Sequence, residues 1–94
     1  MENKKNEANS RLIVISDTIR KVYPYKIYSK ASPHYLKKIW VIETEGHEIK
    51  VLDEYLEDKD FLKFFGDSYL LAKKFRFFLI QRGKYLVRAE EIKN

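Results

Sequence analysis

Few residues in this chain are of a type and spacing that could do chemistry. Its two histidines, His34 and His47, have no cysteine anywhere in the chain to join them and no further histidine nearby, so the ligand spacing of a metal site is missing. Each reads as a solvated turn residue, His34 beside Pro33 and His47 beside Gly46. Ser68 follows Gly66-Asp67 without the second glycine of a nucleophile elbow, and Gly46, Gly66 and Gly83 stand too far apart to cradle a phosphate. Glu43 and Glu48 are carboxylates that local pairing sets opposite each other, a geometry that can raise one pKa for general acid and base work. No nucleophile or oxyanion donor accompanies them. We therefore expect no catalytic residue, no metal and no cofactor, and a protein that is not an enzyme.

The distribution of charge says more. Arg11, Arg20, Lys21, Lys26, Lys30, Lys37 and Lys38 oppose only Asp17 in the first part of the chain. Glu43, Glu45, Glu48, Asp53, Glu54, Glu57, Asp58 and Asp60 then face Lys50, Lys59 and Lys63, after which Lys73, Lys74, Arg76, Arg82, Lys84 and Arg88 oppose Asp67. A net charge of +5 and a pI near 9.4 favour polyanions as partners, because neutralised phosphates release counterions. Tyr23, Tyr25, Tyr28 and Tyr35 lie among the first group of cations, so one surface can offer both phosphate contacts and flat rings for base stacking. In the second group the aromatics read as core, which leaves the cations to meet phosphate. The expected nucleic-acid-binding residues are Arg20, Lys21, Tyr35, Lys37, Lys38, Lys73, Lys74 and Arg76. That expectation requires both basic segments to share one exterior. The acidic segment 53–60 supports the alternative of a protein interaction module, an inhibitor or assembly factor that docks a basic partner.

These residues must be positioned by local structure. Leu12, Ile15, Ile19 and Val22 recur at steps of three or four after a capping Asn9 or Ser10, which predicts an N-terminal helix stopped by Pro24. The unbroken Leu12–Ile15 run also fits a strand. Tyr25–Tyr28 reads as a short strand and 29–33 as a loop. Residues 38–52 form a β-hairpin, in which a tip at Glu45-Gly46 pairs Ile42 with Ile49 and Trp40 with Val51 on one face. Acids ahead of Phe61–Phe65 predict a short helix ended by Gly66, and Asp67 or Ser68 caps a second helix that runs to Arg82 and stops at Gly83. Phe75–Gln81 alternates as well, and so fits a strand that turns at Gly83 into Tyr85–Arg88.

The expected fold class is α+β, a small antiparallel sheet (meander or hairpin) packed against an N-terminal helix and C-terminal helices. Its core gathers Leu12, Ile15, Ile19, Phe61, Leu71 and Phe78 on Trp40, Ile42, Ile49 and Val51. As a helix, Tyr69–Ile80 is apolar on nearly all sides, which asks for a second covering surface and points to a homodimer.

Ninety-four residues make one domain, expected over 10–90, with a disordered tail at 1–9, a polar run 89–94 that should fray and a frayed C-terminus at 91–94. A chain 45% hydrophobic and 15% aromatic carries enough apolar surface to fold. The absence of cysteine and of an apolar N-terminal stretch leads us to expect a cytoplasmic protein, and no apolar run approaches the roughly 20 residues of a spanning helix. With its many Lys, Ile, Tyr and Glu residues, a single Gln and no Cys, the chain resembles in composition the small uncharacterised proteins of hyperthermophilic archaea and their viruses. That resemblance implies a small dimeric nucleic-acid binder or a host-interaction protein, in the host cytoplasm if viral.

Overall fold

Ile15, Ile19 and Val22, which helical spacing gathers with Leu12, lie instead along a strand. A computed structural model describes residues 11–66 and 68–93, so the expected tail at 1–9 lies outside the described residues. The strands are β1 (Ile13–Lys26), β2 (Lys38–Thr44), β3 (Glu48–Val51), β4 (Lys74–Ile80) and β5 (Tyr85–Glu91). They close into a barrel in the order β1-β2-β3-β5-β4, with β3 and β5 parallel and every other pair antiparallel. Among the described residues the helical segments are two short 3₁₀ turns, Asp53–Tyr55 and Lys59–Phe64.

The α+β expectation is thereby corrected: neither the N-terminal helix nor the helix ending at Arg82 forms. β1 is dense in β-branched residues and β4 in aromatics, the types that pack best on a pleated surface. Closure also gives both strands partners for their backbone groups, which an isolated short helix would not match. The polar run is held as far as Ile92, since β5 runs through Glu91 and the Ile92 amide donates to the Lys74 carbonyl at 2.9 Å. Fraying from residue 89 is therefore corrected as well.

β1 spans 14 residues and serves two neighbours in turn. Ile13–Thr18 pair with β4, and the remainder pairs with β2. A bulge between Ile19 and Lys21 makes the transfer, with Arg20 the extra residue that bends the strand as barrel closure demands. Pro24 sits inside this strand opposite Trp40. It is tolerated because the Ile27 amide bonds the Lys37 carbonyl, which by the two-residue period turns the position of Pro24 away from β2.

The hairpin forms in the expected register, Trp40 with Val51 and Ile42 with Ile49, and Glu43 lies opposite Glu48. Its tip is tied to β1 by one carboxylate. Asp17 Oδ2 accepts from the Thr44 hydroxyl at 2.7 Å, the Gly46 amide at 2.9 Å and His47 Nδ1 at 2.9 Å, while Oδ1 accepts from the Thr18 amide at 2.8 Å. Burial pushes the Asp17 carboxyl up, but the bonds from His47, Thr44, Gly46 and Thr18 outweigh it and hold the group well below the usual carboxylate range.

Two apolar clusters result. The barrel interior holds Ile19, Ile42, Ile49, Val51, Phe75, Phe77, Leu79 and Leu86, plugged by Leu56, Phe65 and Leu70 from the β3–β4 connection. A smaller cluster of Ile27, Ile39, Val41, Leu52 and Tyr85 lies apart from it, with Tyr23, Tyr55 and Ile80 against it. Of the expected core, Ile15, Trp40 and Phe61 pack half-buried against the interior, while Leu12 and Leu71 are exposed. Helical spacing turns both inward, but Leu12 precedes β1 and Leu71 lies in the turn before β4, so no element directs either side chain to the interior. The alternation of faces along a strand disposes of the apolar excess in β4: Phe75, Phe77 and Leu79 are buried, and Phe78 is covered by the Arg88 guanidinium 4.0 Å from its ring centre. The argument from an all-round apolar helix to a second copy therefore lapses.

Candidate functional site

Beyond Lys26 the chain leaves the sheet and doubles back before β2 begins. Amide bonds from Ser32 to the Ser29 carbonyl, Tyr35 to Ser32 and Lys37 to His34 wind this β1–β2 loop tightly, and the Leu36 amide returns to the Ile27 carbonyl at 2.6 Å. Leu36 closes it in the left-handed region at φ 66°. On the facing side, β4 turns into β5 through Gln81, Arg82 and Gly83, all with positive φ (53°, 62° and 83°). Apart from Ala72, the described non-glycine residues held at positive φ lie in these two connections, a strain that L side chains meet when surrounding structure enforces it. Next to the turn, β3 and β5 join through a bond from the Lys50 amide to the Lys84 carbonyl at 3.1 Å.

Between the loop and the turn runs a cleft of about 560 Å³. Its polar floor is tied together by Tyr55 from the first 3₁₀ turn: the Gln81 side-chain amide donates to the Tyr55 hydroxyl at 3.2 Å, and His34 Nε2 lies 3.2 Å from the same oxygen. The His34 ring meets Tyr55 and Tyr85 edge-on with centroids 5.8 Å and 5.7 Å away, and Tyr55 and Tyr85 are 5.1 Å apart. Burial, reinforced by Tyr55 and Glu54, pushes the Tyr85 phenol up and keeps it protonated at neutral pH.

The walls carry cations and rings. Lys50 and Lys84 both line the cleft, and neither forms an ion pair with a described residue. Tyr25 and Tyr28 stand over it 44% and 65% exposed, more than packing alone would leave two aromatic rings. Tyr25 also borders a groove with Tyr23, Val41, Glu48 and Lys50, and a further one with Pro24, Lys26 and Lys38. Lys26 and Lys38 are directly opposite each other across β1 and β2, and no described carboxylate pairs with either. Like charges facing across strands destabilise a sheet and attract an anion.

The sequence-expected residues are divided by the fold. Lys38 reaches this surface, and Tyr35, half-exposed in the loop, stands close in sequence to His34. Lys37 is engaged at the rim by Glu54, a hydrogen bond that raises the lysine pKa and lowers that of the acid. Lys21 pairs with Glu43 at 3.8 Å and borders a shallow depression with Arg20. Lys73 meets Glu91 at 3.9 Å and lies over the Tyr69 ring, and Arg76 meets Glu90 at 3.4 Å. Lys74 is opposite Thr18 and makes no ion pair among the described residues. Lys73, Lys74 and Arg76 thus lie in or just before β4, with β5 carboxylates beside Lys73 and Arg76, and do not line the cleft; of the second basic segment, Lys84 does.

Lys50, Lys84, Gln81 and Tyr85 were not singled out by sequence reasoning. Lys50 sat in an acidic stretch, and residues 81–85 gain their neighbours only through barrel closure. The acidic segment is likewise engaged within the chain: Glu54 with Lys37, Glu57 with Arg88 at 4.0 Å, Asp60 with Lys63 at 3.6 Å, and Asp58 accepting from the Asp60 amide. No helix among the described residues is long and apolar enough to cross a membrane. No family model matches the chain, and no curated protein or solved structure matches it either.

Proposed function

We propose that this chain is a non-enzymatic binding protein for single-stranded nucleic acid, and that the cleft between the β1–β2 loop and the β4–β5 turn is where it binds. The observation that carries the reading is the company of Lys50 and Lys84: two cations without a carboxylate partner among the described residues, linked through their backbones, in one cleft with the exposed rings of Tyr25 and Tyr28. Unpaired lysines supply the salt-sensitive phosphate contacts, and exposed tyrosines supply faces on which unstacked bases pack. Lys26 and Lys38 continue the cationic track past Tyr25.

Topology lends a second support. A five-stranded closed barrel in the order β1-β2-β3-β5-β4 has the strand arrangement of the OB type, whose ligands lie on strands 2 and 3 between the same two connections. This is a likeness of fold, and function rests on the site itself.

The test is fluorescence anisotropy with a labelled oligo(U) and oligo(dT) at about 50 and about 200 mM salt. Binding that weakens steeply with salt is expected. Lys50→Ala and Lys84→Ala should each flatten the slope of log affinity against log salt by about 0.7, the single-strand value per phosphate contact. No binding at the lower salt overturns the proposal, as does a slope that neither substitution changes.

A further inference from the structure

The cleft floor holds polar groups that phosphate binding leaves unused. Tyr85 is only 6% exposed, and its hydroxyl bonds to no described residue. Yet among the described residues no side-chain nitrogen or oxygen is sealed from solvent without a partner. The Tyr85 hydroxyl therefore reaches the cleft its residue lines, an unpartnered polar group on an otherwise buried ring. Gln81 spends one amide hydrogen on Tyr55 and keeps its carbonyl oxygen and second amide hydrogen free. Its backbone is held at φ 53° in the strained turn, and Tyr55, braced in turn by His34, fixes the side chain.

From this we infer that Tyr85 and Gln81 read the edge of a nucleobase turned into the cleft, so that binding distinguishes one base from another. The inference rests on the nucleic-acid reading above and adds specificity to it. A primary amide presents a donor beside an acceptor, the pattern that pairs two-pronged with a base edge, and the hydroxyl adds a third polar point. Both groups are held before ligand arrives, so little side-chain ordering opposes their use. Backbone strain concentrated in the two flanking connections is consistent with a turn shaped to present the Gln81 amide. Lys50 and Lys84 are charge contacts and carry no base information.

The experiment compares oligo(U), oligo(C) and oligo(A) of equal length at fixed low salt, for the wild type, Tyr85→Phe and Gln81→Asn. Tyr85→Phe keeps the ring and its packing and removes only the hydroxyl, and asparagine tolerates the left-handed backbone while withdrawing the amide by one methylene. Wild type should separate the best from the worst oligomer by roughly five- to a hundred-fold, the span of one good two-pronged contact. Each substitution should narrow that ratio and leave the salt slope unchanged. Salt-dependent binding that is equal for all three oligomers overturns this inference and leaves the phosphate reading standing. A preference that survives both substitutions overturns the assignment to these residues, and absence of binding overturns both readings together.

Discussion

Replacing Asp17 tests the physical account of the barrel most directly, because one carboxylate on β1 gathers four donors, three of them from the tip of the β2–β3 hairpin. Its side chain is 14% exposed, so the bonds from Thr44 and Thr18 are made with little competition from water. In Asp17→Ala the Gly46 amide and the His47 ring lie at the surface and turn to solvent, which leaves the Thr44 hydroxyl and the Thr18 amide as the main losses. Two charge-assisted hydrogen bonds at about 1.5 kcal/mol each predict a loss of about 3 kcal/mol. For a domain of this size that lowers Tm by roughly 12–24 °C. Asp17→Asn keeps an acceptor for the hairpin but removes the charge and turns a donor toward the Thr18 amide, so about half of the loss is expected.

The pH dependence separates charge from shape. The folded pKa of Asp17 is depressed, so its contribution is fully present above the unfolded value of about 3.9 and is lost as pH falls through the lower folded value. Urea denaturation followed by Trp40 fluorescence, at neutral pH and at steps down to about pH 2, should show wild type and Asp17→Asn converging as acid is added. A wild type and an Asn variant that stay equally far apart throughout would refute the electrostatic part. An Asp17→Ala protein within about 0.5 kcal/mol of wild type would refute the whole account.

Other consequences are sharper in direction than in size. Lys73→Ala and Arg76→Ala, whose cations meet Glu91 and Glu90 away from the cleft, should leave oligonucleotide affinity and its salt slope as in wild type. A flattened slope in either variant would show that β4 joins the interface. Gly83→Ala should cost about 1–2 kcal/mol in chemical denaturation through its φ of +83° alone, since an added Cβ would meet nothing nearer than Ile13 Cδ1 at 3.9 Å. An alanine variant as stable as wild type would show that the turn relaxes out of the left-handed region.

What could be read in the chain followed the distance over which each decision is made. The register of the β2–β3 hairpin was legible because Trp40, Ile42, Ile49 and Val51 are neighbours in sequence, and slipping by one residue would turn all of them to the wrong face. β1 and β4 were not. Leu12, Ile15, Ile19 and Val22 satisfy a helical period, the same segment is dense in β-branched residues, and nothing within it decides between the two. What decides is pairing with partners far along the chain: Val14 with Phe78 and Ile15 with Phe77 on one side, Val22 with Ile42 on the other.

The candidate site divides in the same way. The sequence by itself determined that the chain is basic and rich in tyrosine, and places Tyr25, Tyr28 and Lys38 within one basic stretch. Only the tertiary structure decided which cations stay free. Closure of β5 between β3 and β4 carried Gln81, Lys84 and Tyr85 to Lys50 and the β1–β2 loop, and set Arg76 and Lys73 against the acids of β5. A lysine bears the same charge wherever it lies in the sequence. Whether a carboxylate neutralises it depends on separations of a few ångströms, and those exist only once the barrel has closed.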